Sequence, residues 1–148
     1  MSTYTQILYQ IVFTTRNRKK CLCKKDREKL LMYIYGILKS KECHLYRINA
    51  EPDHLHIITH IHPSVSLAAL VKDIKLASTA FIKKETMFPG FNGWQDGYGA
   101  FTYSITAKNN LIEYVKNQEE HHRAKNFREE FKQLLQEHKI AYNEKYLP

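Results

Sequence analysis

An α+β fold built on a single antiparallel sheet is what this sequence predicts, on three observations. Two-residue alternation marks four strands. Apolar recurrence at three and four marks two helices between them. The order strand, helix, strand, strand, helix, strand is the split βαβ, ferredoxin-like pattern, here followed by a C-terminal helical extension. In that pattern the helices cover one face of the sheet and leave the other for a ligand or a further helix.

Each element has its own signal. Residues 4–14, YTQILYQIVFT, set Thr5, Ile7, Tyr9, Ile11 and Phe13 on one side and Tyr4, Gln6, Gln10 and Thr14 on the other, as a half-buried strand does. From Asp26 to about Lys41, Leu30, Leu31, Ile34, Ile37 and Leu38 recur at helical spacing. Residues 44–49 and 54–62 read as strands joined into a hairpin across NAEPD, where Asn49 and Pro52 favour a turn. Beyond Pro63, Leu67, Leu70, Val71, Ile74, Ser78, Phe81 and Ile82 draw a second helix, with Lys72, Lys75, Lys83 and Lys84 on its rim. The stretch FPGFNGWQDGYG holds four of the five glycines and is irregular, and YGAFTYSIT then alternates as a last strand. Asn110 three residues before Glu113, and Asn126 three before Glu129, imitate the capping box and place helix starts near Leu111 and Phe127.

The 148 residues suit one domain, taken as 1–148, and 43% hydrophobic residues suffice for a real core. No apolar run approaches the roughly 20 residues of a membrane span. The opening MSTYTQ lacks the basic start and apolar stretch of a signal peptide, and Cys21, Cys23 and Cys43 are too few and odd in number for a disulfide frame. A cytoplasmic location is expected. The net charge of +8 is concentrated: between Arg16 and Lys29, eight Lys and Arg face only Asp26 and Glu28. A focused basic loop of this kind suggests a polyanion partner, because phosphate neutralisation rewards clustered cations. From Leu111 onward, seven acids balance seven bases, the signature of solvated helical faces.

The stretch EPDHLHIITHIHP (51–63) places His54, His56, His60 and His62 at one parity, with Leu55, Ile57, Thr59 and Ile61 supplying the core opposite. Strand residues two apart lie about 6.6 Å apart on one face, close enough for the imidazoles of His54 and His56 to converge on one ion. An exposed polar strand face would give the same pattern. His60 and His62 lie further along and read as surface or substrate contacts. In EYVKNQEEHH, Tyr114 and Gln118 are four apart on one helical face, with His121 and His122 following. Tyr114 also fits the part of an amphipathic anchor, ring buried and hydroxyl wet.

PDHLHII (52–58), FTTRNRK after the first strand, WQDGYGAFTYS (94–104), and YVKNQEEHH (114–122) followed by FREEF run in one order over nearly the whole chain. Together they resemble the small single-tyrosine HUH transposases of bacterial insertion sequences and their REP-associated tyrosine transposase relatives, HUH being histidine, hydrophobic residue, histidine. The resemblance implies a metal-dependent transposase that cuts and rejoins single-stranded DNA beside hairpins through a 5′-phosphotyrosine intermediate. It implies His54, His56 and Gln118 as ligands of Mg²⁺ or Mn²⁺ and Tyr114 as nucleophile. His121 or His122 could replace or supplement Gln118. It further implies a homodimer with composite active sites, the tyrosine serving its own or the partner's histidines. Arg16, Arg18, Lys19 and Lys20 would hold phosphates, and Trp94, Tyr98 or Tyr46 would stack on unpaired bases. The alternative function is a non-catalytic, RRM-like module binding single-stranded nucleic acid, since the same element order builds RRM domains and YGAFTY partly echoes their aromatic strand motif. A relaxase or replication initiator would need more chain than is present here.

Overall fold

The computed structural model describes residues 1–118 and 126–148. Strands β1 (Leu8–Thr14), β2 (His44–Glu51), β3 (His54–His60) and β4 (Gly99–Tyr103) form one sheet in the order β2-β3-β1-β4, and every neighbouring pair is antiparallel. Helix α1 (Lys24–Ser40) links β1 to β2, and α2 (Leu67–Lys84) links β3 to β4. This is the expected split βαβ arrangement. The first strand starts at Leu8 rather than residue 4, because residues 1–7 are exposed and have no sheet face to cover. The third ends at His60, short of His62.

The two faces of the sheet bury different things. Ile11, Phe13, Leu55 and Ile57 meet Leu30, Ile34 and Leu38 of α1 and Leu70 and Ile74 of α2 in the larger core. The opposite face takes the helical extension. There Leu8 and Ile58 pack against Leu111 and Val115 of α3 (Lys108–Lys116), while Val12 and Phe101 pack against Phe127, Phe131 and Leu134 of α4 (Phe127–Glu137). Gly99 permits that second contact: a Cβ there would lie 2.6 Å from the Phe131 ring. With Phe101 buried under α4, β4 offers no open aromatic platform of the kind an RRM-like module needs.

The helix ends follow the chemistry of their caps, with one correction. Asn126 caps α4 as predicted, its side chain accepting from the Glu129 amide at 2.9 Å, and Ser66 caps α2 by accepting from Ala69. Asn110 is not a cap. Helix α3 begins at Lys108, continuing a short 3₁₀ turn (Ile105–Ala107) whose own cap is Ser104, so Asn110 lies inside the helix. Turn and helix run together, and the start signal is Ser104, well before the Asn110 that the Asn110–Glu113 spacing suggests. Among the described residues, no helix is long and apolar enough to cross a membrane.

Candidate active site

β3 carries the site because its period-two alternation turns Leu55 and Ile57 to the apolar core and His54 and His56 to the opposite face. That face is not open. His54 and His56 are 1% and 0% exposed, covered by α4, whose Phe127 ring lies 4.5 Å from the His54 ring. They turn away from α1 and α2, but into a second, polar interior and not onto an exposed polar strand face.

Each imidazole is oriented by a neighbouring side-chain oxygen that accepts. His54 Nδ1–H donates to Asp53 Oδ1 at 2.6 Å, and His56 Nδ1–H donates to Gln10 Oε1 at 2.9 Å. Gln10, on β1, donates in turn to the Tyr103 hydroxyl at 2.8 Å. These bonds fix both tautomers and leave the Nε2 atoms as potential ligands. Burial pushes the His54 imidazolium down to about 4 against the pull of Asp53, so the ring is neutral at pH 7, the form that binds metals. Burial likewise lifts the Tyr103 phenol to about 12.

The third group comes from α4. Phe127 and Phe131 anchor its apolar side, and Glu130, three residues on from Phe127, lands on the same side, 2% exposed. Its Oε1 lies 3.0 Å from His56 Nε2. With Nδ1–H donating to Gln10, that Nε2 faces a carboxylate, a contact that a second ring proton, a carboxyl proton or a cation between the two makes favourable. His54, His56 and Glu130 each offer a ligand atom, all within 4.8 Å of one another. A separation of 3.0 Å is what adjacent ligands on an ion with bonds of about 2.1 Å would show. The residues therefore fit a divalent cation.

Helix α3 supplies the phenol. Leu111 and Val115 seat it on the sheet, so Tyr114, three residues after Leu111, points toward α4 and its hydroxyl donates to Glu130 Oε2 at 2.8 Å. Burial, then the charge and hydrogen bond of Glu130, hold this phenol well above its ordinary pKa, with the Gln118 amide opposing. The hydroxyl is not sealed: Tyr114 lines a pocket of about 330 Å³ together with Gln10, Asn110, Glu130 and Glu137. Gln118 is buried on the same helical side, and its amide also donates to the Tyr114 carbonyl at 3.3 Å.

The comparisons with known proteins bear on this geometry. Residues 3–118 match the family model described as "Transposase IS200 like". The chain belongs to the IS200-like transposases. Two solved structures share the fold. One is a Deinococcus radiodurans protein assigned as a transposase, with TM-score 0.59 and 23% identity, covering 80% of this chain and 95% of that one. The other is a REP-associated tyrosine transposase bound to a REP hairpin, with TM-score 0.62 and 17% identity, covering 82% of this chain and 74% of that one. No curated protein matches this transposase.

The structure brings four of the residues singled out in the transposase sequence into one region: His54, His56, Tyr114 and Gln118. His121 and His122 lie outside the described residues. Of the basic loop, Arg18 and Lys20 line a cavity of about 280 Å³ together with Asp53, His54 and Phe127, while Arg16 and Lys19 are exposed on the loop's other side. His60 accepts from the Ile7 amide and His62 approaches Glu42 at 3.3 Å, both apart from the centre. Trp94 is core and not a base platform: it is 5% exposed, set edge-on to Phe13, and its indole N–H donates to Ser78. Tyr98 is 40% exposed, and Tyr46 is half-buried with the Lys108 ammonium 5.4 Å over its ring.

Sequence reasoning missed Glu130, Asp53 and Gln10. Glu130 did leave a signal, a carboxylate at i+3 from Phe127 on the apolar side of an amphipathic helix. Such a position is buried, and a buried charge needs a partner.

Proposed function

We propose that this transposase cleaves and rejoins single-stranded DNA in a metal-dependent reaction with Tyr114 as nucleophile. The observation that carries the reading is the Glu130 carboxylate shared between the Tyr114 hydroxyl and His56, which couples that phenol to the imidazole pair. His54, His56 and Glu130 would hold the ion, with Gln118 the additional ligand that the family resemblance implies. Mg²⁺ or Mn²⁺ suits a donor set that mixes imidazole with carboxylate oxygen. An ion held there would polarise the scissile phosphate and offset its developing negative charge.

The chain's own residues do the rest. The phenol is a weak nucleophile while protonated, and Glu130 Oε2 is the acceptor already holding its proton. The Tyr114 oxygen forms a bond to phosphorus as the bond from phosphorus to the 3′ oxygen breaks. The freed 3′ oxygen takes up a proton, and the 5′ end stays on Tyr114 as a phosphotyrosine. A second 3′ hydroxyl attacking the same phosphorus returns the phenol and seals a strand, so no nucleotide cofactor is needed. Arg18 and Lys20, beside His54, would hold phosphates next to the scissile one, with Arg16 and Lys19 further out. The hairpin in the related complex supports a hairpin-bearing end as substrate. The expected homodimer is retained. Within one chain Tyr114 already shares Glu130 with His56, so a composite site requires α3 to exchange between copies, and a solution mass of twice 17.5 kDa tests the pairing.

Purified protein with Mg²⁺ or Mn²⁺ and single-stranded end DNA should form an adduct that survives a denaturing gel, and Tyr114→Phe should erase it. His56→Ala should remove the adduct while DNA is still retained in a gel-shift assay. An adduct persisting in Tyr114→Phe would move the nucleophile elsewhere and overturn the assignment.

A further inference from the structure

Outside the active site, a charged groove of about 680 Å³ runs between α2 and the loop 92–98. Its α2 wall is the stripe Lys72, Leu76, Thr79 and Lys83, and its floor includes Trp94. Leu76 is 62% exposed, and Tyr98 stands exposed on the loop side. Arg16 reaches the groove from the basic loop. Asp96 is the one acid in the lining, against Arg16, Lys72, Lys75 and Lys83.

The groove is built. The backbone of Thr14, Thr15 and Arg16 is zipped to residues 93–95: Arg16 N donates to Gly93 O at 3.0 Å, Gln95 N to Thr14 O at 2.9 Å, and Asn17 N to the Gln95 side chain at 2.9 Å. Lys75 closes the far end, its ammonium donating to the carbonyls of Gln95 and Gly97 at 2.8 and 2.6 Å. Gly93 has φ +92, and the Arg16 guanidinium lies 3.4 Å from where its Cβ would be, so the glycine both makes the turn and leaves room for that cation. Asn17 and Arg18 adopt left-handed φ values of 57 and 52. These turns split the basic run: Arg18 and Lys20 go to the His54 cavity, Arg16 to the groove.

We infer that this groove is a second nucleic-acid subsite, which takes the single strand flanking the scissile phosphate after it has passed the basic loop. Lys72, Lys83 and Arg16 hold successive phosphates, and an unpaired base lies on the apolar surface of Leu76 and Tyr98. The charge excess favours a polyanion, and the exposed leucine and tyrosine beside it favour a strand with accessible bases over a duplex, whose bases are stacked inside. The inference rests on the proposed single-strand substrate, but not on the identity of the nucleophile.

The test is fluorescence anisotropy with a labelled oligothymidine of about 20 nucleotides, longer than the footprint of one small fold. It is read in the Tyr114→Phe background, so that retention alone is measured. Lys72→Ala/Lys83→Ala should weaken binding on the order of tenfold and reduce the slope of log K against log salt by about 1.4, about 0.7 for each lost phosphate contact. Tyr98→Ala should weaken it by a similar factor with the salt slope unchanged. The charge-matched control Lys39→Ala/Lys139→Ala, on exposed positions near the end of α1 and just after α4, should do neither. Equal losses in control and groove variants would reduce the effect to net charge and overturn the subsite. So would displacement of the DNA by poly-glutamate from the parent protein but not from the groove variant, which would make the groove a site for acidic peptides. Failure of the adduct experiment with these results intact would sink the catalytic reading and leave the subsite standing.

Discussion

The two faces of one sheet are built from the same strands and do opposite work. Toward α1 and α2, β1 and β3 present Ile11, Phe13, Leu55 and Ile57, and that interior is hydrocarbon apart from single hydroxyls such as Ser78. Toward α3 and α4, the residues between them are Gln10, Val12, His54, His56 and Ile58, and the helices answer with Glu130, Tyr114 and Gln118. Burying apolar area is favourable at about 25 cal/mol per Å². Burying imidazoles, amides and a carboxylate is unfavourable until each finds a partner. One face therefore stabilises the chain, and the other holds a hydrogen-bonded polar network. Alternation makes the division sharp, since a slip of one residue in β3 would exchange leucine for histidine on both sides.

Mutations can break that contrast. The largest stability loss should come from the apolar face: Ile57→Ala, at a fully buried position, should cost about 2–5 kcal/mol in urea unfolding and lower activity only through the loss of folded protein. On the polar face, Mn²⁺ at about 100 times its Kd should raise stability by about 2.7 kcal/mol in thermal unfolding, and His56→Ala should abolish the shift. An unchanged transition with Mn²⁺ would remove the metal from the site. Glu130→Gln keeps the shape but removes the charge that helps raise the Tyr114 phenol, so that phenol should titrate at lower pH in an ultraviolet scan, at a stability change of about 1–3 kcal/mol.

The smallest effect concerns Tyr103, whose phenol is raised to about 12. A group with a raised folded pKa stabilises fully below its unfolded value near 10 and loses that contribution as pH rises through 12. Stability should therefore fall across pH 10 to 12, and Tyr103→Phe should flatten part of the fall. An identical pH profile in the variant would show that burial does not hold the phenol in its neutral form.

Much of this was legible in the chain. The two-residue period put His54 and His56 on one face before any coordinates, and the four-residue spacing put Tyr114 and Gln118 on one side of a helix, because both patterns are set by local backbone geometry. The Asn126 cap was legible for the same reason. Asn110 misled because a capping spacing does not reveal a 3₁₀ turn running into the helix from Ser104. Trp94 misled because its place in the core depends on Phe13 and Ser78, far away in sequence.

What the sequence determined by itself was the set of amphipathic elements, their order, the sharing of a face by two histidines, and the motifs of the family. What only the tertiary structure decided was the company those histidines keep. Gln10 and Glu130 reach His56 across 46 and 74 residues, and no period in the chain encodes a pairing at that distance. Such contacts follow from the pairing of β1 beside β3 and the packing of α4 over that face of the sheet, which the burial of Phe127 and Phe131 against Val12 holds in place.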